Sequence, residues 1–161
     1  MREAPSPAIQ DFYPDDFAHC YGCGRLNQSG LQLKTRWDGD ETIARFTPRP
    51  PDVALPGFVY GGLIASLIDC HAMGTAAAAA ERAAGRDIGA GPAPRFVTAS
   101  LKVDYLKPTP HGSELEIRGR IVDRTDRKTV IAVTVSAGGV ITARGEAVAV
   151  PMPSTMVSPK P

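Results

Sequence analysis

From Leu31 to Trp37 the chain reads Leu-Gln-Leu-Lys-Thr-Arg-Trp, an apolar/polar alternation with the two-residue period of a half-buried strand. Asp38-Gly39-Asp40 supplies a turn, and Thr42 to Thr47 is expected to return as a second strand. Pro48, Pro50, Pro51 and Pro56 then impose an irregular loop, because proline fixes φ and removes a backbone donor. The next stretch, Gly61 to Ala84, has no proline, is apolar almost all round and stops at Gly85, which predicts one long helix of ~36 Å. The remainder is strand-like: Phe96 to Leu106, Glu114 to Asp123, Thr129 to Ala137 and Val140 to Val150, with turns at Asp123–Lys128 and Gly138-Gly139. The predicted order is two strands, a long helix and four strands.

That order has a packing consequence. The helix shows almost no polar face and must be covered nearly all round. One curved antiparallel sheet of about six strands can wrap it, and the Ala76–Ala80 run lets the sheet backbone come close. The expected fold is α+β, a hotdog arrangement. No repeat or composition break divides the chain, so residues 1–161 are expected to form one domain. Residues 1–18, rich in Pro and acids, are expected to be an arm outside the core, ordered in part by Phe12, Tyr13 and Phe17. Residues 151–161 read as a tail.

Composition narrows the function. Hydrophobic residues at 43% and charged residues at 22% exclude a disordered chain. Lys+Arg 18 against Asp+Glu 17 offers neither a nucleic-acid surface nor a basic membrane-binding face. The apolar window from Phe58 to Ala80 holds Asp69, His71 and three Gly, which argues against a membrane span. The three Cys cannot all pair, and Met1-Arg2-Glu3 followed by Pro5 and Pro7 is no secretory leader, so a cytoplasmic setting is expected. Cys20 and Cys23, with His19, form a CxxC; the remaining donors, Cys70 and His71, sit far off on the apolar helix. No metal is therefore expected, and no strand-to-helix context supports a redox CxxC.

The chemistry concentrates on the helix. Asp69 stands among apolar residues, where a carboxylate is paired, solvent-facing or catalytic. Tyr60-Gly61-Gly62 opens the helix: either a tight junction, or a place where unpartnered amides at the positive end of the helix dipole receive a carbonyl oxygen turning negative. Gly62 and Asp69 are seven positions apart, about 10 Å along the axis, so one helix does not bring both to one carbonyl. Two groups that both act must then come from two subunits across a two-fold interface. His71 lies about 200° around the helix from Asp69 and reads as a core or interface histidine. Ser66 and Ser100 have no base at triad spacing.

Val59-Tyr60-Gly61-Gly62-Leu63-Ile64-Ala65-Ser66-Leu67-Ile68-Asp69 resembles the HGG-x6-Asp helix of PaaI-type hotdog thioesterases, which hydrolyse acyl-CoA. Thr98 to Pro108 resembles the strand that follows in that family, and Cys20-Tyr21-Gly22-Cys23-Gly24 with Asn27 and Gly30-Leu31 is similar to an N-terminal signature of one branch. The resemblance implies that Asp69 is general base or nucleophile, that Gly61 and Gly62 form the oxyanion turn with the Gly62 amide favoured, and that Thr98 positions the attacking water. It implies a substrate carrying CoA, no other cofactor, and a homodimer or a homotetramer of paired dimers. Two departures stand out: Tyr60 replaces the usual His, as a phenol that can donate a hydrogen bond to substrate, and no Asn or Gln lies between Phe46 and Tyr60. They leave two alternatives, a non-catalytic acyl-CoA binder and a hotdog enoyl-CoA hydratase or dehydratase. Arg124, Arg127 and Lys128 cluster at a turn and are candidates for the CoA phosphates.

Overall fold

The computed structural model describes residues 5–157. Its strands and long helix follow as β1 (Arg36–Asp38), β2 (Glu41–Phe46), α1 (Gly61–Ala83), β3 (Phe96–Tyr105), β4 (Leu115–Arg124), β5 (Thr129–Ala137) and β6 (Val140–Pro151). The six strands form one antiparallel sheet in the order β1-β2-β4-β5-β6-β3. The sheet curves around α1, which packs on β3, β4, β5 and β6, and this is the hotdog fold.

Local chemistry explains the elements. Along β5, Thr129, Ile131, Val133, Val135 and Ala137 are buried and their neighbours half-exposed, the two-residue period of a strand with one face on the core. Alanines dominate the second half of α1, giving high helix propensity and small volume together; Ala76, Ala77 and Ala78 are fully buried. Gly85, at φ 71°, ends the helix in the left-handed region. The helix is long and apolar enough to cross a membrane, but its apolar window is 78% buried inside the protein.

Four expectations need correction. The first strand is shorter than the alternation from Leu31 to Trp37. Leu31, Leu33 and Thr35 do turn inward, yet their backbone bonds go elsewhere: the Leu31 and Leu33 amides donate to Tyr21 and Gly22, and Thr35 accepts from Ile9. The arm is not outside the core. From Ala8 onward it forms two short 3-10 helices, Ile9–Phe12 and Asp15–Phe17, with Ala8, Ile9, Gln10 and Tyr13 buried. Apolar residues at positions 8, 9 and 13 cover the side of α1 that the sheet leaves open, which is why the arm folds in. The C-terminal segment starts one residue later than expected, Pro151 closing β6; Ser154–Met156 is an exposed 3-10 turn, and the expectations for residues 1–4 and 158–161 lie outside the described residues. The fourth correction concerns Cys70, which the fold sets beside Cys20 and Cys23.

His71 is a fully buried core histidine. Gln10 Nε2 donates to Thr35 Oγ1 (3.0 Å), and the Thr35 hydroxyl donates to His71 Nδ1 (3.0 Å). On the other side His71 Nε2–H donates to Thr42 Oγ1 (3.0 Å), Thr42 donates to Thr75 (2.6 Å), and Thr75 donates back to the His71 carbonyl (2.8 Å). Each proton has one acceptor in this direction, so the ring is neutral and fully satisfied. The chain ties arm, β2 and α1 together around the midpoint of the helix.

Candidate active site

The face of α1 that the chain leaves uncovered carries the candidate chemistry. Gly61, Gly62, Ala65, Ser66 and Asp69 are half-exposed, while Leu63, Ile64, Leu67 and Ile68 are buried. Positions 62, 65, 66 and 69 share one helical face, so the stripe runs straight from the N-terminus to the carboxylate. Expected all-round coverage is thus incomplete on this stripe alone in the first half of the helix.

Asp69 is paired, and with neither His71 nor an arginine. The exposed Thr98 hydroxyl donates to Asp69 Oδ1 at 2.5 Å. Thr98 is aimed by a β-bulge: it faces Ala149 on β6, the next paired residue is Ser100 facing Val148, and Ala99 is extra. The result is an oriented carboxylate with a free second oxygen beside a hydroxyl, both open to solvent.

At the other end of the stripe, Tyr60 caps the helix in extended conformation (φ −60°, ψ 128°) without a side-chain capping bond. The Leu63 and Ile64 amides both donate to the Tyr60 carbonyl, at 3.1 and 3.4 Å. Among the described residues nothing accepts from the amides of Gly61 and Gly62, and no acidic residue occupies the first turn. These donors therefore keep the positive end of the dipole available. The exposed Tyr60 ring lies across Gly62, where a Cβ would come within 2.4 Å of it, so a side chain at 62 would push the ring aside. Arg49 grips Asp52 through two ring-forming contacts of 3.1 Å, and the Asp52 carbonyl receives the Tyr60 amide at 3.1 Å, which fixes the approach to the helix.

Beside this end lies a cavity of about 440 Å³, lined by Leu55, Phe58, Ile64, Leu106 and Pro108 with Gly61 and Tyr105 at its edge. Tyr105 lies inside the Thr98–Pro108 segment, but residue chemistry alone marks no role for it. Its hydroxyl donates to the Gly61 carbonyl at 2.7 Å, a long-range contact to which no local spacing points.

Within one chain the two halves stay apart. Gly61 meets the Tyr105 end of β3, Asp69 meets the Thr98 end, and eight helical residues separate them by ~12 Å. Arg124, Arg127 and Lys128 are exposed on the β4–β5 turn. The register Thr129–Ala149–Thr98 puts that turn two strands from Thr98, about 10 Å across the sheet. It stands at the Asp69 end and not the cavity end.

A sequence model of the thioesterase superfamily matches residues 56–143. A thioesterase superfamily protein from Shewanella loihica PV-4 is 50% identical over 86% of this chain and 98% of its own, with a TM-score of 0.67. The chain belongs to the thioesterase superfamily. The matched span holds the helix, the Thr98 strand and the cationic turn, so every candidate site residue falls inside it. The same fold recurs in the Escherichia coli PaaI protein from the phenylacetic acid degradation operon (13% identity, 76% of this chain, 81% of that one, TM-score 0.61). It also recurs in a Streptococcus mutans UA159 protein bound to acetyl CoA (18% identity, 83% of this chain, 96% of that one, TM-score 0.59). A search of curated proteins gives no match.

Proposed function

We propose that this member of the superfamily hydrolyses acyl-CoA thioesters to free acid and CoA in a cytoplasmic setting, at sites shared between two subunits. The observation that carries the reading is the Thr98–Asp69 pair on the same open helix face as two unpartnered amides. The acetyl CoA bound to the Streptococcus mutans protein supports a CoA thioester as the ligand class.

Tetrahedral attack on a thioester needs an oxygen nucleophile on the carbonyl carbon and donors on the carbonyl oxygen. The Gly62 amide is the favoured donor, with Gly61 beside it. Asp69 of the partner subunit either takes a proton from a water held by Thr98 or attacks directly. In both routes an acyl C–O bond forms, the C–S bond breaks, and the thiolate of CoA leaves and takes up a proton. CoA enters as part of the substrate, and the route calls on no redox cofactor. The apolar cavity beside Gly61 is suited to the apolar part of the substrate.

Geometry favours a site shared between subunits. β3 is an edge strand ten residues long, and Leu101 and Tyr105 on it are exposed. Long exposed edges with apolar side chains invite pairing with another chain. Antiparallel pairing of two copies of β3 about a two-fold near its middle sets the Tyr105 end of one strand against the Thr98 end of the other, which joins one Gly62 to the other Asp69. The dimer, or a tetramer built from two such dimers, is the expected assembly.

Two results test the parts. Thr98→Val keeps strand propensity and removes the hydroxyl, so kcat falls about ten- to a hundredfold with KM little changed; an unchanged kcat removes Thr98 from the machinery. Replacing Arg124, Arg127 and Lys128 together by Gln raises KM for acyl-CoA and leaves kcat near wild type, in steady-state kinetics at low salt. Equal losses in both constants reject the phosphate assignment.

The Tyr60 ring across Gly62 favours one competing reading, a hotdog protein that binds acyl-CoA without turnover. Tight binding with no thiol release identifies it. A hydratase needs a histidine at the reacting carbon, and His71 is buried with both ring nitrogens engaged.

A further inference from the structure

Cys20 and Cys23 come from the loop that follows the arm, and Cys70 from α1, one residue after Asp69. Their three sulfurs lie within 4.8 Å of one another, with Cys20 Sγ and Cys70 Sγ 3.7 Å apart. Sulfurs bound at about 2.3 Å around a tetrahedral zinc stand ~3.8 Å from each other. The Cys20–Cys70 edge therefore matches a pair of zinc-bound thiolates, and Cys23 Sγ stands close enough to complete the set, whereas sulfurs in a disulfide would stand at about 2.0 Å.

The loop is built around these sulfurs. The Gly24 amide donates to the Cys20 carbonyl at 2.7 Å, which closes the loop tightly around the two cysteines. A Cβ on Gly22 would stand 2.2 Å from Cys70 Sγ, so only glycine lets the loop close on the helix cysteine. The Leu31 and Leu33 amides, withheld from β1, hold the same loop by donating to Tyr21 and Gly22 at 2.7 and 3.0 Å.

Charge and unpartnered groups point the same way. Arg95 stacks on the Tyr13 ring, 4.4 Å from its centroid, and its Nη1 is buried and has no hydrogen-bond partner among the described residues. The Tyr13 hydroxyl is likewise buried and unpartnered, and Cys23 is a charge neighbour of both. Three neutral thiols would leave this cation without a counter-charge. Three thiolates on a divalent ion carry one net negative charge, which Arg95 balances.

We propose that Cys20, Cys23 and Cys70 form a zinc site that clamps the N-terminal loop onto α1 next to Asp69. Among the described residues no fourth His, Cys, Asp or Glu joins the three, so the remaining coordination position belongs to a water. Each thiol that coordinates gives its proton to solvent, and no electron is transferred. The role is structural: the ion fixes the loop and the helix turn that carries the carboxylate, and it takes no part in the hydrolysis.

The test uses the full chain, purified without metal-affinity resin or chelator, and elemental analysis of its zinc. One zinc per chain is expected, released by a thiol-specific mercurial. Cobalt in its place is expected to show thiolate charge-transfer bands and tetrahedral ligand-field bands. Cys20→Ser, the least buried of the three, is expected to keep the wild-type circular dichroism and lose zinc affinity at least about tenfold. As a check independent of any substitution, wild type stripped of metal is also heated with and without added zinc; its Tm is expected to rise with zinc. A folded wild type that takes up neither zinc nor cobalt overturns the proposal. So does a Cys20–Cys70 disulfide found by mass, or a Cys20→Ser protein that keeps its zinc at full affinity.

Discussion

Asp69→Ala lowers kcat for thioester hydrolysis about 10²–10⁴-fold and leaves the chain folded. The fold is spared because Asp69 is half-exposed and its one partner, Thr98, is exposed; water replaces the lost bond on both sides. Catalysis is not spared, because no other carboxylate or free imidazole shares that helix face, His71 being sequestered in the core. Asp69→Asn sharpens the result. The amide oxygen still accepts from Thr98, so geometry persists, while the group neither takes a proton nor attacks the carbonyl. Both variants are expected to lose kcat with KM changed far less, measured by thiol release alongside circular dichroism. A substantial kcat in Asp69→Asn would assign the carboxylate a positioning role only.

The second large effect is on stability. His71→Leu leaves the Thr35 and Thr42 hydroxyls buried without their ring partners, at about 1–3 kcal/mol each. For a chain of this length that lowers Tm by on the order of 10 °C. Burial pushes the His71 pKa down from its ordinary 6.5 to about 3. The unfolded chain therefore takes up a proton below pH about 6.5 that the folded chain refuses until pH about 3. This contribution to stability is complete above the unfolded pKa and is lost as pH falls through that window, by up to about 1.4 kcal/mol per pH unit. Urea midpoints measured from pH about 7 to about 4 are expected to fall steeply for wild type and less steeply for His71→Leu. Parallel curves for the two proteins would show that His71 is not the titrating group.

Much of this architecture is written in local pattern. The proline-free, alanine-rich run with Gly85 behind it specified α1 to within a residue, and the alternations from Phe96 onward placed β3 to β6 with small shifts at their ends. Those features act over a few residues, where propensity and period suffice. What local pattern hid was long-range. The segment from Leu31 to Thr35 alternates like a strand but gives its hydrogen bonds to the arm and the cysteine loop. The arm looked peripheral because its few apolar residues carry no periodicity, and only the uncovered side of α1 gives them a place. Cys70, 47 positions beyond Cys23 in the numbering, meets the CxxC only through the fold. On the active face, Asp69 and the glycine pair were legible from spacing, and Thr98 from its likeness to the family strand; the Tyr105–Gly61 bond and the cavity beside it required the sheet register.

The most direct measurement is release of free thiol by the wild-type protein from a panel of aryl and short- to medium-chain acyl-CoA esters, with free acid quantified in parallel. Turnover of at least one ester is expected, with acid and CoA formed in equal amounts by a dimeric or tetrameric protein. A folded oligomer that binds these esters and releases no thiol, or that adds water to an enoyl-CoA with the thioester intact, would contradict it.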